Sequence, residues 1–256
     1  MHKVIGLDIG GTKISGILFN GKKVVKELTI KTPDNLLEFE RNLLKLADFL
    51  SVGEKVTSLG VGMAGLIDSK QGVVRHSPNI KFIKNFPLTK LFLMNGFKKV
   101  QIENDARCFA QAVNLVGEGK KFKNIVCITL GTGIGGGFIF NGQSYHGANL
   151  GAGEVGHMIY SGTGTFEEVF QKARDKNDDQ AMVKIIGALL TNIYRLVDPE
   201  LVVLGGGVAT DKKRNFVNKA KIFCAKNLAS YKIKPSNIVV SKLKNAGAIG
   251  AALLVK

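Results

Sequence analysis

Two stretches of the chain align with each other without a gap. VIGLDIGGTKISGILFNGKK, from Val4, and IVCITLGTGIGGGFIFNGQS, from Ile125, bring Gly10 onto Gly131, Gly16 onto Gly137 and Gly21 onto Gly142, at a constant offset of 121 (131 − 10, 137 − 16, 142 − 21). Each copy reads as a buried strand, a glycine turn, a second strand and an Asn-Gly turn. A repeat of this kind constrains the fold strongly, because each copy must bury its own apolar strands. Two domains built on one plan are the simplest account.

The remaining sequence fits alternating strands and helices around each copy. From Asn35 to Leu50, the residues Leu36, Phe39, Leu43, Ala47 and Leu50 fall at helical intervals, and Asn35 with Glu38 has capping-box spacing. SLGVGMAGLID reads as a strand with a loop, KKVQIEN as a strand, and NDARCFAQAVNLV as a capped helix. In the second half QAMVKIIGALLTNIYRLV is helical, PELVVLGGGVA is a strand running into glycines, NIVVSKL is a late strand and NAGAIGAALLVK a small-residue helix. The boundary is expected between Ala112 and Lys123. This divides the chain into residues 1–112, completed by the C-terminal helix 245–256, and residues 113–244.

With 256 residues, 45% of them hydrophobic, a core in each half is expected. No apolar run approaches the roughly 20 residues that cross a bilayer, and no leader-like segment is visible. A soluble, cytoplasmic protein without membrane partners is expected. Cys108, Cys127 and Cys224 follow no C-x-x-C spacing and read as small apolar residues in a reduced compartment. The net charge of +16 comes mostly from lysines spread along the chain. Neither an arginine-rich arm nor a zinc-finger spacing accompanies it, so no specific nucleic-acid partner is expected.

Gly131, Gly133 and Gly136 match the dinucleotide fingerprint G-x-G-x-x-G, but that motif needs a helix after its turn. Phe138, Ile139, Phe140 and Asn141-Gly142 instead signal a strand and a hairpin, so a nicotinamide or flavin site is not expected. Two readings of the glycine turns remain. They are hairpins that need positive φ, or they expose backbone N–H groups to a phosphate without a Cβ in the way. Thr12 and Lys13 add a hydroxyl and a cation to the first turn, and Thr132 a hydroxyl to the second. The third cluster, Gly205 to Gly207, could let an adenosine lie on bare backbone.

Asp8 interrupts an apolar strand, where a carboxylate is costly unless paired. It is either a partner of Lys13 or an anchor for Mg²⁺, or its bound water, beside transferring phosphate. Asn104 and Asp105 precede a helix, so either could be its N-cap; Asp105 could instead be a general base for an attacking hydroxyl. Glu154 and His157, three apart, with Glu167 and Glu168 downstream, suit a polyhydroxylated ligand, a metal pair or a helix surface pair.

Six segments, taken in order, resemble the signatures of the ROK sugar kinases: DIGGTK from Asp8, SPNI from Ser77, ENDARCFA from Glu103, LGTGIGGG from Leu130, GANLGAGEVGHM from Gly147 and DPELVVLGGGVA from Asp198. The resemblance covers nearly the whole chain. It implies an α/β fold of duplicated actin-like, ribonuclease-H-like domains with ATP and sugar in the interdomain cleft. It further implies Asp105 as catalytic base and Asp8 as an indirect Mg²⁺ residue. Gly10, Gly11, Thr12 and Lys13 with Gly131, Thr132 and Gly133 would be the phosphate loops, and Gly205, Gly206 and Gly207 the adenosine loop. Asn79, Asn104, Asp105, Glu154, His157 and Glu167 match positions that hold sugar hydroxyls. The implied activity is ATP-dependent phosphorylation of a hexose, at O6, with a homodimer as the usual family assembly. The alternative is a catalytically silent sugar-sensing regulator.

This sequence departs from the family in one segment. Many members bind zinc through the histidine of E-x-G-H and three cysteines of C-x-C-G-x-x-G-C-x-E. Here His157 is followed by MIYSGTGTFEE, shorter and without cysteine, so no structural zinc site is expected. Glu167 aligns only through the echo of G-C-x-E in Gly164-Thr165-Phe166-Glu167, and residues after Gln171 look trimmed.

Overall fold

The computed structural model describes residues 3–231 and 237–255. Residues 1, 2 and 256, in the expected first domain and its closing helix, lie outside the described residues, as do 232–236 of the expected second domain. The chain forms two compact units, Met1–Ala112 with Leu243–Lys256, and Val113–Lys242.

The first unit opens with β1 (Val4–Ile9), β2 (Lys13–Phe19) and β3 (Val24–Lys31), followed by helix α1 (Leu36–Ser51) and β4 (Ser58–Met63). A small antiparallel sheet of β5 (Leu66–Asp68), β6 (Val73–His76) and β7 (Lys84–Phe86) precedes α2 (Leu88–Leu93). Then come β8 (Lys99–Asn104) and α3 (Asp105–Val116), which carries the chain across the unit boundary. The main sheet has the order β3-β2-β1-β4-β8, with β1 antiparallel to β2 and parallel to β4. Helix α1 forms as its periodicity dictates. Asn35 Oδ1 accepts from the Glu38 N–H at 3.0 Å, and Phe39, Leu43, Leu46, Ala47 and Leu50 are buried along one face.

The second unit repeats the plan. It comprises β9 (Ile125–Leu130), β10 (Ile134–Phe140), β11 (Gln143–Tyr145), the ribbon β12 (Ile159–Ser161) and β13 (Gly164–Thr165), α4 (Phe166–Asp175), α5 (Asp179–Val197), β14 (Leu201–Gly205), α6 (Phe216–Leu228) and β15 (Ile238–Val240). Its main sheet has the order β11-β10-β9-β14-β15, and β9 and β10 begin and end 121 residues after β1 and β2. Val126, Ile128 and Leu130 pack with Met182, Ile185 and Leu189 of α5 in its core. The duplicated α/β architecture expected from the repeat is therefore the one observed. The Asn-Gly turns differ, however. Asn141 and Gly142, both at positive φ (52° and 76°), close a two-residue hairpin, whereas Asn20 caps a longer loop through Lys22 N–H and Lys23 N–H.

The last helix, α7 (Ala246–Leu253), returns to the first unit and packs on β1 and β4. Small residues permit this approach, since a Cβ on Gly6 or Gly60 would collide with the Ala248 or Ala251 carbonyl. Gly6 and Asp8, two apart on β1, share the face that meets α7. Among the described residues no helix is long and apolar enough to cross a membrane.

Candidate active site

In the first unit, β1 ends at Ile9 and the chain turns through Gly10, Gly11 and Thr12. The Gly10 N–H donates to the Lys13 carbonyl at 3.0 Å. Thr32, just past β3, holds the outer side: its hydroxyl donates to the Gly10 carbonyl at 2.7 Å and its N–H to the Thr12 carbonyl at 3.1 Å. Gly11, Thr12 and Lys13 are exposed. A Cβ on Gly11 would come within 2.7 Å of the Asn79 Cβ, so the SPNI segment backs directly onto this turn.

Asp8, half-buried one residue before the end of β1, lies against the start of α7, where a Cβ on Gly247 would fall on its carboxylate. Burial pushes its pKa up to about 7, the charge of Asp105 adds to the rise, and Lys13 opposes it. Asp8 pairs with Gly62 across β1 and β4, and a Cβ on Gly62 would lie 3.6 Å from the Asp105 Cα, so Asp8 and Asp105 occupy neighbouring positions. Of the two candidate N-caps of α3, Asn104 does the capping. Its Oδ1 accepts from Ala106 N–H at 3.0 Å and Arg107 N–H at 3.3 Å, and its Nδ2 donates to the Gly65 carbonyl at 3.2 Å. Asp105 is left as the first residue of the helix, with its carboxylate in the first turn. Beneath it Glu103 and Arg107 form a buried ion pair of 3.2 Å.

In the second unit, Gly131, Thr132 and Gly133 form the matching turn, closed by Gly131 N–H donating to the Gly133 carbonyl at 3.0 Å. Antiparallel β10 follows it, so the dinucleotide motif has no helix to complete it. The reading that these glycines serve positive φ is overturned for both turns: Gly10, Gly11, Gly131 and Gly133 all lie outside that region. A Cβ on Gly131 would meet nothing within 4 Å, so the protein itself does not require glycine there. In the third cluster Gly206 does need it, with φ +87° and its backbone packed on the Leu130 carbonyl, which also accepts from Val208 N–H at 3.0 Å. That packing sets Gly205 to Gly207 beside the second turn.

Glu154 precedes a single turn of 3₁₀ helix, Val155–His157, and His157 ends it; both are exposed, with Oε2 and Nε2 3.9 Å apart. Glu167, in the first turn of α4, is turned toward the glycine turn. Its Oε2 accepts from Ile134 N–H at 2.7 Å, and a Cβ on Gly133 would fall on its carboxylate. Arg174, on the same helix, donates from Nη1 to the carbonyls of Gly131 (3.3 Å) and Thr132. Sequence reasoning missed Thr32, Arg174 and Gly247, none of which belongs to a motif. A cavity of about 390 Å³ lined by Tyr160, Lys172, Lys176, Asp178 and Lys184, among others, contains none of the expected site residues. Cys108, Cys127 and Cys224 are buried free thiols whose pKa values burial raises. Among the described residues no group of three His, Cys, Asp or Glu is placed to hold a metal ion.

The sequence profile described as the ROK family matches residues 4–177 and 164–256. A glucokinase of Thermotoga maritima is 36% identical over 169 residues, covering 63% of this chain and 52% of that protein. A beta-glucoside kinase of Listeria monocytogenes is 26% identical over 291 aligned positions, covering 97% of this chain and 96% of that protein. The crystal structure of a ROK hexokinase from Thermus thermophilus superimposes with a TM-score of 0.81 at 26% identity, over 99% of this chain and 97% of that one.

Proposed function

Because this chain belongs to the ROK family, we propose that it is an ATP-dependent sugar kinase that moves the γ-phosphoryl group of ATP onto O6 of a hexose, with Asp105 as general base. The observation that carries this reading is that one unit sets Asp8 and Asp105 on either side of Gly62, beside an exposed turn that offers Gly11, Thr12 and Lys13. Asp105 accepts the proton of the sugar hydroxyl as its oxygen attacks the γ-phosphorus, and ADP departs. Asn104 caps α3 and so fixes the backbone from which the Asp105 side chain projects.

The donor set fits magnesium, which asks for one or two carboxylates and takes its remaining ligands from water and phosphate. Asp8 suits an indirect hold through the ion's bound water, being a carboxylate that burial and Asp105 raise to about 7 and that a nearby cation would return to its charged form. Bound there, the ion would neutralise charge on the transferring phosphate. In the second unit, the open space over Gly131 and the bare backbone of Gly205 to Gly207 suit the nucleotide, and Glu154 with His157 suits sugar hydroxyls. A homodimer remains part of the reading by family resemblance.

The test is ADP release from Mg²⁺-ATP with glucose, mannose, fructose, allose, N-acetylglucosamine, N-acetylmannosamine and a β-glucoside, against a control without sugar. Turnover that depends on one acceptor, and is lost with its 6-deoxy analogue, is the expected result. Tight sugar binding without turnover on any acceptor would replace the kinase with a sugar-sensing regulator.

A further inference from the structure

Gly10 and Gly131 hold the same position in the repeat, yet their carbonyls are held by unrelated groups. In the first unit β3 runs alongside β2 as far as Lys31, opposite Lys13, so that Thr32 reaches the turn. In the second unit β11 pairs only over Phe138 to Phe140 and stops well short of Ile134. The edge strand cannot brace this turn. Helix α4 does so instead, from two residues seven apart on one face. Glu167 takes the N–H that opens β10, and Arg174 takes the carbonyls of Gly131 and Thr132. Asp175 steadies the guanidinium, accepting from its Nη2 at 2.9 Å and its Nε at 3.1 Å.

A trans peptide points its C=O and the following N–H in opposite directions. With the Gly131 and Thr132 carbonyls drawn toward Arg174, the N–H groups of Thr132 and Gly133 face the other way. No acceptor for either is found among the described residues. We propose that Arg174 is a positioning residue for the nucleotide: it fixes these two peptide planes so that their N–H groups meet phosphate oxygens. The assignment rests on the reading of Gly131 to Gly133 as a phosphate turn. A guanidinium suits the task because its planar fork serves the two carbonyls and Asp175 at once, which an ammonium cannot do with the same geometry.

The experiment compares Arg174→Ala, Arg174→Lys and Gly131→Ala, measuring KM for ATP, KM for the sugar and kcat, with thermal melting as a check on folding. Arg174→Ala should raise KM for ATP on the order of tenfold, since two hydrogen bonds from a charged group are lost, and leave KM for the sugar within about twofold. Arg174→Lys should fall between Arg174→Ala and wild type, and it carries the test if the alanine variant fails to fold. Gly131→Ala, whose added Cβ meets no protein atom, reports on the phosphate turn itself and should also raise KM for ATP. If Gly131→Ala raises it and both Arg174 variants do not, the positioning role is overturned while the turn stands. If none of the three changes it, the phosphate turn is wrong and the assignment goes with it. Equal rises in both KM values would reduce Arg174 to a structural brace and overturn the proposal.

Discussion

The two copies of the repeat agree in strand order and in the length of their first two strands, but not in what they place at the end of the first strand. Position 8 of β1 is an aspartate; its counterpart on β9, 121 residues on, is Thr129. Both are half-buried. A hydroxyl is tolerated there at little cost, whereas a carboxylate loses hydration unless something charged meets it. The first copy follows its Asp8 with exposed Lys13 and sets Asp105 nearby; the second has Ile134 and glycine. On one backbone plan, the end of the first strand thus carries a carboxylate and a lysine in the first copy, and a hydroxyl, glycines and an apolar residue in the second.

The strongest test of that division is Asp105→Asn, which keeps the side chain's shape and removes the proposed base. Turnover should fall on the order of 10²-fold to 10⁴-fold, with KM for the sugar little changed. Wild-type kcat in the folded variant would mean that the first copy does not carry the chemistry.

Asp8→Asn probes the same asymmetry through stability. A carboxyl raised from 3.8 to about 7 on folding is protonated in both states at low pH and costs nothing there. Between those values the unfolded chain ionises while the native one resists, so native stability falls as pH rises. Without nucleotide or Mg²⁺, Asp8→Asn should therefore exceed wild type by on the order of 2–4 kcal/mol at pH 7, converging with it near pH 4. Thermal melting across that range measures it. A gap independent of pH would remove the buried-charge account of β1.

Much of this was legible beforehand because it is periodic or local. The 121-residue offset set the four strands β1, β2, β9 and β10, and helical spacing with Asn35 set α1. The duplicated α/β fold follows from those elements. What stayed hidden depends on contacts distant in sequence. Gly247 lies 239 residues from the carboxylate it makes room for, and Arg174 is 43 from the carbonyl it holds. The two Asn-Gly turns look alike in sequence yet differ, because the number of residues before the next paired strand decides the turn type. Even Asn104 and Asp105, adjacent at a helix start, needed the observed bonds to Ala106 and Arg107 to say which one caps.

A smaller effect separates the copies where α7 docks. Gly6 pairs with Gly60 in the first sheet, and the matching pair in the second is Cys127 with Val203. The first copy is hollowed to admit the carbonyls of Ala248 and Ala251, and the second is filled. Gly60→Ala should thus cost about 1–3 kcal/mol through overpacking, read as a lower melting temperature. No loss would mean that α7 yields easily and that the glycine pair is incidental.

The finest distinction concerns the brace on the first turn. Thr32 uses a hydroxyl and an N–H where the second copy uses a guanidinium, so only half of the Thr32 brace lies in its side chain. Thr32→Val removes the 2.7 Å hydroxyl bond to the Gly10 carbonyl and keeps both the volume and the N–H bond to Thr12. The cost should be about 0.5–1.5 kcal/mol, the net worth of one hydrogen bond, and Thr32→Ser should recover most of it. Because the backbone bond persists, KM for ATP should move less than in Arg174→Ala, where both carbonyls are released together. A larger shift from Thr32→Val than from Arg174→Ala would invert the comparison, making the first turn the one whose shape depends on a single side chain.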